Sequence, residues 1–165
     1  MGLSVTAMIR VANHKGLDDY KKLNTVAHSI FLMAIIVEIV FAVVFMLGCQ
    51  FFPAFFVNEE MALNANEIQE VLSISSKLLI VAAFFQISDG IQVVVLGALR
   101  GLQDVKVPMY LTFVAYWIVG FPISIYLGLY TNLKAEGVWI GLLAGLTAAA
   151  IMLYLRFRFL LKHHR

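Results

Sequence analysis

The chain predicts an all-α integral membrane protein with four transmembrane helices, preceded by the end of another helix. Of its 165 residues, 62% are hydrophobic and only 13% are charged, about half the charged share of a soluble domain. Mean hydropathy is +0.90. Apolar runs of about twenty residues, enough to cross roughly 30 Å of hydrocarbon as helix, occupy 30–52, 78–99, 109–130 and 138–155. A soluble core of this size cannot hide four of them. None alternates with the period of two expected of a barrel strand, and in hydrocarbon a lone segment satisfies its backbone only as a helix.

The first unit, residues 1–29, reads as the end of a helix and a cytoplasmic loop. In "MGLSVTAMIRVANHKG", Asn13 and Gly16 act as stop signals, and the earlier turns of that helix are expected upstream. Arg10 is not followed by a leader with a small-residue cleavage site, so no signal peptide is expected. Residues 30–165 form the four-helix transmembrane part. Phe51, Phe52, Phe55 and Phe56 mark the outer interface of the first span, and Tyr126 and Tyr130 that of the third. The polar loop 57–77 is expected to be solvated, with a short amphipathic helix. In the third span Pro122 removes a backbone donor and leaves the Ile118 carbonyl unpaired, which predicts a kink near Gly120 to Pro122.

Lysine and arginine set the direction. Arg10, Lys15, Lys21 and Lys22 precede the first span, Arg100 and Lys106 join the second to the third, and Arg156, Arg158, Lys162 and Arg165 follow the fourth. The other two connections carry Lys77 and Lys134 among Glu59, Glu60, Glu67, Glu70 and Glu136. Both termini are therefore expected in the cytoplasm. A formal net charge of +2 argues against a nucleic-acid partner. The single cysteine, Cys49, cannot form an internal disulfide, and no Cys/His spacing suggests a metal or cofactor.

Within the spans, Asp89 stands out. It lies halfway along the second, roughly 15 Å from either end. A charge at that depth costs at least about 2.5 to 3.5 kcal/mol, so such a residue faces protein or a wet cavity rather than lipid. Gln86, Asp89, Gln92, Val93 and Leu96 share a helix face with Phe85; Ile87, Ile91, Val94 and Ala98 make an apolar one, expected outward. The alternative role for Asp89 is a protonated acid bonding a neighbouring helix. Glu38, in "IIVEIVF", is either an auxiliary cavity ligand beside Gln86 and Gln92 or a residue that sits on a solvated cavity wall or pairs with a buried donor outside any cycle. His28 reads as an interface residue, and His14, His163 and His164 as surface. Arg100, Asp104 and Lys106 form a cytoplasmic turn, either a gate contact or an anchor at the headgroups.

These residues carry a resemblance. "QISDGIQVVVLGALRGLQDVKVP", with Gln86, Asp89, Gln92, Gly97, Arg100, Gly101, Asp104 and Pro108, resembles the helix-ten signature of the multidrug and toxic compound extrusion (MATE) transporters, particularly the NorM-like branch. Arg10, Val11, Asn13 and Gly16 resemble the Arg-Val-Gly-Asn-x-x-Gly motif that ends helix eight, with Ala12 in place of a glycine. The resemblance covers the whole chain, as the end of helix eight and helices nine to twelve of a twelve-helix transporter. It implies a fragment of an efflux antiporter that exports amphipathic, often cationic compounds in exchange for Na⁺ or H⁺. It also implies a bacterial inner-membrane location and the missing N-lobe helices as partners. Asp89 matches the cation-coupling aspartate and would ligate Na⁺ if sodium is the coupling ion. The glutamate of helix seven that usually completes that site falls outside this chain.

Two rival readings stay open. One is a small four-helix protein acting alone, as an oligomeric exporter or a non-transporting partner. The other is a lipid-linked oligosaccharide flippase of the same superfamily, which is expected to show cationic residues along its cavity helices; these spans contain none. No His/Glu, Ser/His or metal-ligand constellation appears at catalytic spacing, so an enzyme is not expected.

Overall fold

A computed structural model describes residues 1–49, 51–52, 65–131 and 133–163. Within them the chain is helical: α1 is Gly2–Gly16, α2 Tyr20–Gly48, α3 Ala65–Gly101 and α4 Lys106–Val114. A π-helical turn, Ala115–Gly120, leads into α5, Phe121–Tyr130, and α6 runs over Lys134–His163. Four stretches are long and apolar enough to cross a bilayer: Tyr20–Gly48, Val71–Gly101, Lys106–Tyr130 and Ala135–His163. They are the four spans expected from the hydropathy. Phe55, Phe56, Glu59, Glu60, His164 and Arg165 lie outside the described residues.

The helices run past the ends of their apolar runs. From Ala65 to Lys77 the sequence holds neither glycine nor proline, and this part of the expected polar loop is the first part of α3, while 57–64 lie outside the described residues. At the other end, Arg156 to His163 contains no breaker and places Lys162 and His163 in the last turn, where cations suit the helix dipole. At α2, Asp19 caps the first turn: its carboxylate accepts from the Lys22 amide at 3.1 Å and pairs with Lys22 Nζ at 3.2 Å. That backbone hydrogen bond, ahead of the lysine charge, holds the Asp19 carboxyl below its usual range.

The turns after α1 and α3 close with the same device. After α1, Asp18 sits at φ 55°, the Asp19 amide reaches back to the His14 carbonyl and the Asp18 amide to that of Lys15. After α3, Gln103 sits at φ 63°, with Asp104 N–H on the Leu99 carbonyl and Gln103 N–H on that of Arg100. These are Schellman caps with a non-glycine residue in the left-handed position. Gly16 is the last helical residue, at the expected stop, and Asp18 takes the positive φ.

Helix α3 is the centre of the arrangement, contacting α1, α2 and α6. Their shared core contains Ala7 and Val11 of α1, Leu23, Ala27 and Phe31 of α2, Val94, Val95, Ala98 and Leu99 of α3, and Leu153 and Phe157 of α6. Val94 and Ala98, expected to face outward, are buried because α3 has neighbours on several sides. Lipid is as apolar as leucine, so close van der Waals fit rather than water exclusion holds such helices together. Small residues make that fit: Gly97 and Gly101 lie against the backbone of Ser4 and Met8, and Gly137, Gly141 and Gly145 lie against Leu127, Ser124 and Gly120.

The irregularity in the third span is the π-helical turn 115–120, just before Pro122 in the first turn of α5. The proline cannot donate to Ile118, and the ladder widens over the preceding turn, so the break extends further upstream than the expected Gly120 to Pro122.

Candidate functional site

The packing of α2 on α3 puts two carboxylates on the wall of one cavity. Asp89 lies on α3 about 18 Å from the Gly101 end. Its side chain is exposed on the helix layer, and it lines a cavity of about 410 Å³ together with Glu38, Ser4, Val37 and Val93. Glu38 is half-buried, and its carboxylate lies over Gly90, where an added Cβ would collide with it. Glycine next to Asp89 thus leaves the room into which the α2 carboxylate fits. Among the described residues, no hydrogen bond or ion pair satisfies Asp89 or Glu38. Ser4 Oγ, at the edge of the same cavity, donates to the Val93 carbonyl at 2.8 Å.

The two glutamines part company with Asp89. Gln92 is 8% exposed, and its Oε1 accepts from the Tyr116 hydroxyl at 3.0 Å. That bond ties α3 to the π-helical turn of the third span, on the side away from Glu38. Gln86 is half-buried, one turn before Asp89, and Phe85 beside it meets Trp139 of α6 with ring centroids 5.8 Å apart. The helix face read from the sequence is thus split between two neighbours. Near it, Ser88 and Thr147 hydroxyls lie 3.0 Å apart, joining α3 to α6. Nothing in the sequence pairs Gln92 with Tyr116 or Ser88 with Thr147. A hydroxyl inside an apolar run signals that a partner exists without saying which.

At the basic end, the Arg100 to Pro108 motif has separate jobs. Asp104 Oδ2 accepts from Arg156 Nε of α6 at 2.8 Å, with side chains 14% and 26% exposed. Lys15 of α1 donates to the Leu102 carbonyl at 2.7 Å and to Gln103 Oε1 at 3.1 Å. Gly101 admits the α1 backbone, Pro108 is fully buried, and Arg100 is exposed. The turn therefore clamps α1, α3 and α6 together. At the opposite end Lys77 pairs with Glu136 at 3.3 Å.

Chemically, two carboxylates with a hydroxyl nearby offer only oxygen ligands, suited to a hard monovalent cation or a proton. Among the described residues, no three His, Cys, Asp or Glu side chains gather as a site for a metal ion.

The MatE family model matches residues 1–126. The probable multidrug resistance protein NorM of Xylella fastidiosa is 35% identical over 158 residues, covering 96% of this chain and 32% of that protein. Multidrug resistance protein MdtK of Yersinia enterocolitica is 38% identical over 169 residues, covering 98% and 34%. The crystal structure of the eukaryotic MATE transporter AtDTX14 matches with a TM-score of 0.80 at 21% identity, over 99% of this chain and 36% of that one. A multidrug resistance MATE family transporter of the MOP superfamily, in an inward-facing conformation, matches with a TM-score of 0.75 at 20% identity, over the same shares. The chain spans about a third of the length of the curated relatives it matches. Four membrane-spanning helices in this arrangement, with the family model covering more than half of the sequence, show that the chain belongs to the MatE family, a family of transporters rather than enzymes.

Proposed function

We propose that the chain is part of the C-terminal lobe of a multidrug efflux antiporter, with Asp89 as its cation-coupling residue. Residues 1–29 supply the end of one helix and a cytoplasmic loop, and 30–165 the four-helix part. The observation that carries this reading is the placement of Asp89 and Glu38 at mid-helix depth on one cavity, with neither carboxylate neutralised by a described neighbour.

Two carboxylates lining one cavity offer a cation oxygen ligands from two different helices. Antiport needs such a group: its occupancy must differ between the two cavity orientations, and the difference must change substrate affinity. Na⁺ or H⁺ entering from outside neutralises Asp89 and favours release of an amphipathic cation, with Glu38 and Gln86 as auxiliary groups. Gln92, held by Tyr116, acts by positioning α3. The exposed side of Asp89 is covered by helices of the remaining two thirds of the transporter, which sits in a bacterial inner membrane with the basic end of this lobe in the cytoplasm.

The test is Asp89→Asn in the complete transporter, read as drug resistance alongside the amount of protein in the membrane. Resistance is expected to disappear at unchanged protein level. Retained resistance refutes the role of Asp89.

A further inference from the structure

A second cavity, of about 680 Å³, lies at the basic end of the bundle between α2 and α6. Two stripes at i, i+4 spacing line it: Tyr20, Asn24 and His28 from α2, and Tyr154, Arg158 and Lys162 from α6. Its deep end is built. His28 Nδ1 lies 2.8 Å from the Asn24 carbonyl, which only accepts, so Nδ1 carries the proton. Nε2, on the other side of the ring, is hydrogen-bonded to the Tyr154 hydroxyl at 3.3 Å. The Phe31 ring packs edge-on against Tyr154 and Phe157, with centroids 6.3 and 5.3 Å away, and closes the space below.

Above this floor the two cations are uncompensated. Arg158 and Lys162 are exposed, and neither has an ion-pair partner among the described residues, whereas Arg156, two residues before Arg158, is paired with Asp104. No carboxylate lines the cavity. Toward the middle of the membrane the two stripes continue as exposed apolar side chains, Leu32 one turn beyond His28, and Leu155 and Ile151 on α6. Positive charge with an amide donor at the headgroup level, and an apolar track leading into the hydrocarbon from the same opening, match an anionic amphiphile set parallel to the helices.

We infer that the groove between α2 and α6 binds one anionic phospholipid, its phosphate between Arg158, Lys162 and Asn24 and its acyl chains along Leu32, Leu155 and Ile151. The inference does not depend on Asp89 or on transport. Such a lipid would join two helices whose backbones are not packed together here, and so would steady the cytoplasmic end of the lobe.

The experiment is native mass spectrometry of the full chain in a neutral detergent, titrated with phosphatidylglycerol or phosphatidylcholine. One retained phosphatidylglycerol is expected, preferred at least about tenfold over phosphatidylcholine. Replacing Arg158 and Lys162 together by glutamine should lower its affinity on the order of tenfold or more, since each basic group near an anionic lipid contributes several-fold. Arg158→Lys should keep most of the affinity. Lys162→Gln alone, in the exposed last turn, should lower it several-fold and keeps the test open should the double variant not fold. Lys21→Gln with Lys106→Gln, exposed at the same end of the bundle, is the control and should leave the retained lipid in place. The inference fails if the wild-type chain shows no headgroup preference, if the control pair loses the lipid as readily as the groove pair, or if inorganic phosphate displaces it at equal concentration, which would mark a free-phosphate site.

Discussion

Glycine serves opposite ends in two parts of this molecule. Along the α5–α6 seam, Gly137, Gly141 and Gly145 bring backbone against backbone, and a Cβ at Gly141 would overlap the main chain of Ser124. Between α2 and α3, Gly90 makes equal room, but the space is taken by the flexible Glu38 side chain from Cγ to the carboxylate. The seam has no alternative arrangement short of separating the helices. The gap can change its contents by rotating one side chain. A transporter needs both: rigid pieces that move as units, and a site whose occupancy changes without cost to the fold.

Three substitutions probe that contrast. Gly141→Ala should be the most damaging, at about 3 kcal/mol or more, because neither backbone can yield. It would be measured as unfolding of the chain in mixed micelles, and a loss below about 1 kcal/mol would show the seam to be as adaptable as the gap. Arg156→Gln comes next, at about 2 kcal/mol in the same measurement, since it leaves a largely buried Asp104 carboxylate without its charged donor. An unchanged midpoint would reduce the clamp to a solvated surface pair. Gly90→Ala should cost least, under about 1 kcal/mol, because only the Glu38 side chain from Cγ outward, and no backbone, has to move. If the proposed function holds, Gly90→Ala in the complete transporter should weaken the dependence of export on the coupling ion while leaving protein level unchanged. A stability loss matching that of Gly141→Ala would erase the distinction between the regions.

Much of the fold was legible because crossing a bilayer constrains a sequence so strongly. Length and apolarity alone mark the four spans, and helices follow because hydrocarbon offers the backbone no other partner. The depth of Asp89 was legible for the same reason, since the bounds of its span set it. Helix ends were less so. Hydropathy reports where lipid begins, whereas helical hydrogen bonding continues into water until a cap intervenes, and so α3 begins at Ala65 and α6 reaches His163. The stop of α1 at Gly16 was legible, whereas the left-handed position that closes the turn fell to Asp18, which no glycine marks.

Taken by itself, the sequence determined the number of spans, the basic bias of one end and the depth of the acidic residue, all of which depend on a helix and its solvent. Which neighbour each polar side chain meets depends on the rotation of one helix against another, and that was decided only in three dimensions. Gln92 turns to Tyr116, Asp89 shares its cavity with Glu38, and Asp104 finds Arg156. Glycine contacts scattered over the whole chain fix those rotations, and no local stretch encodes them.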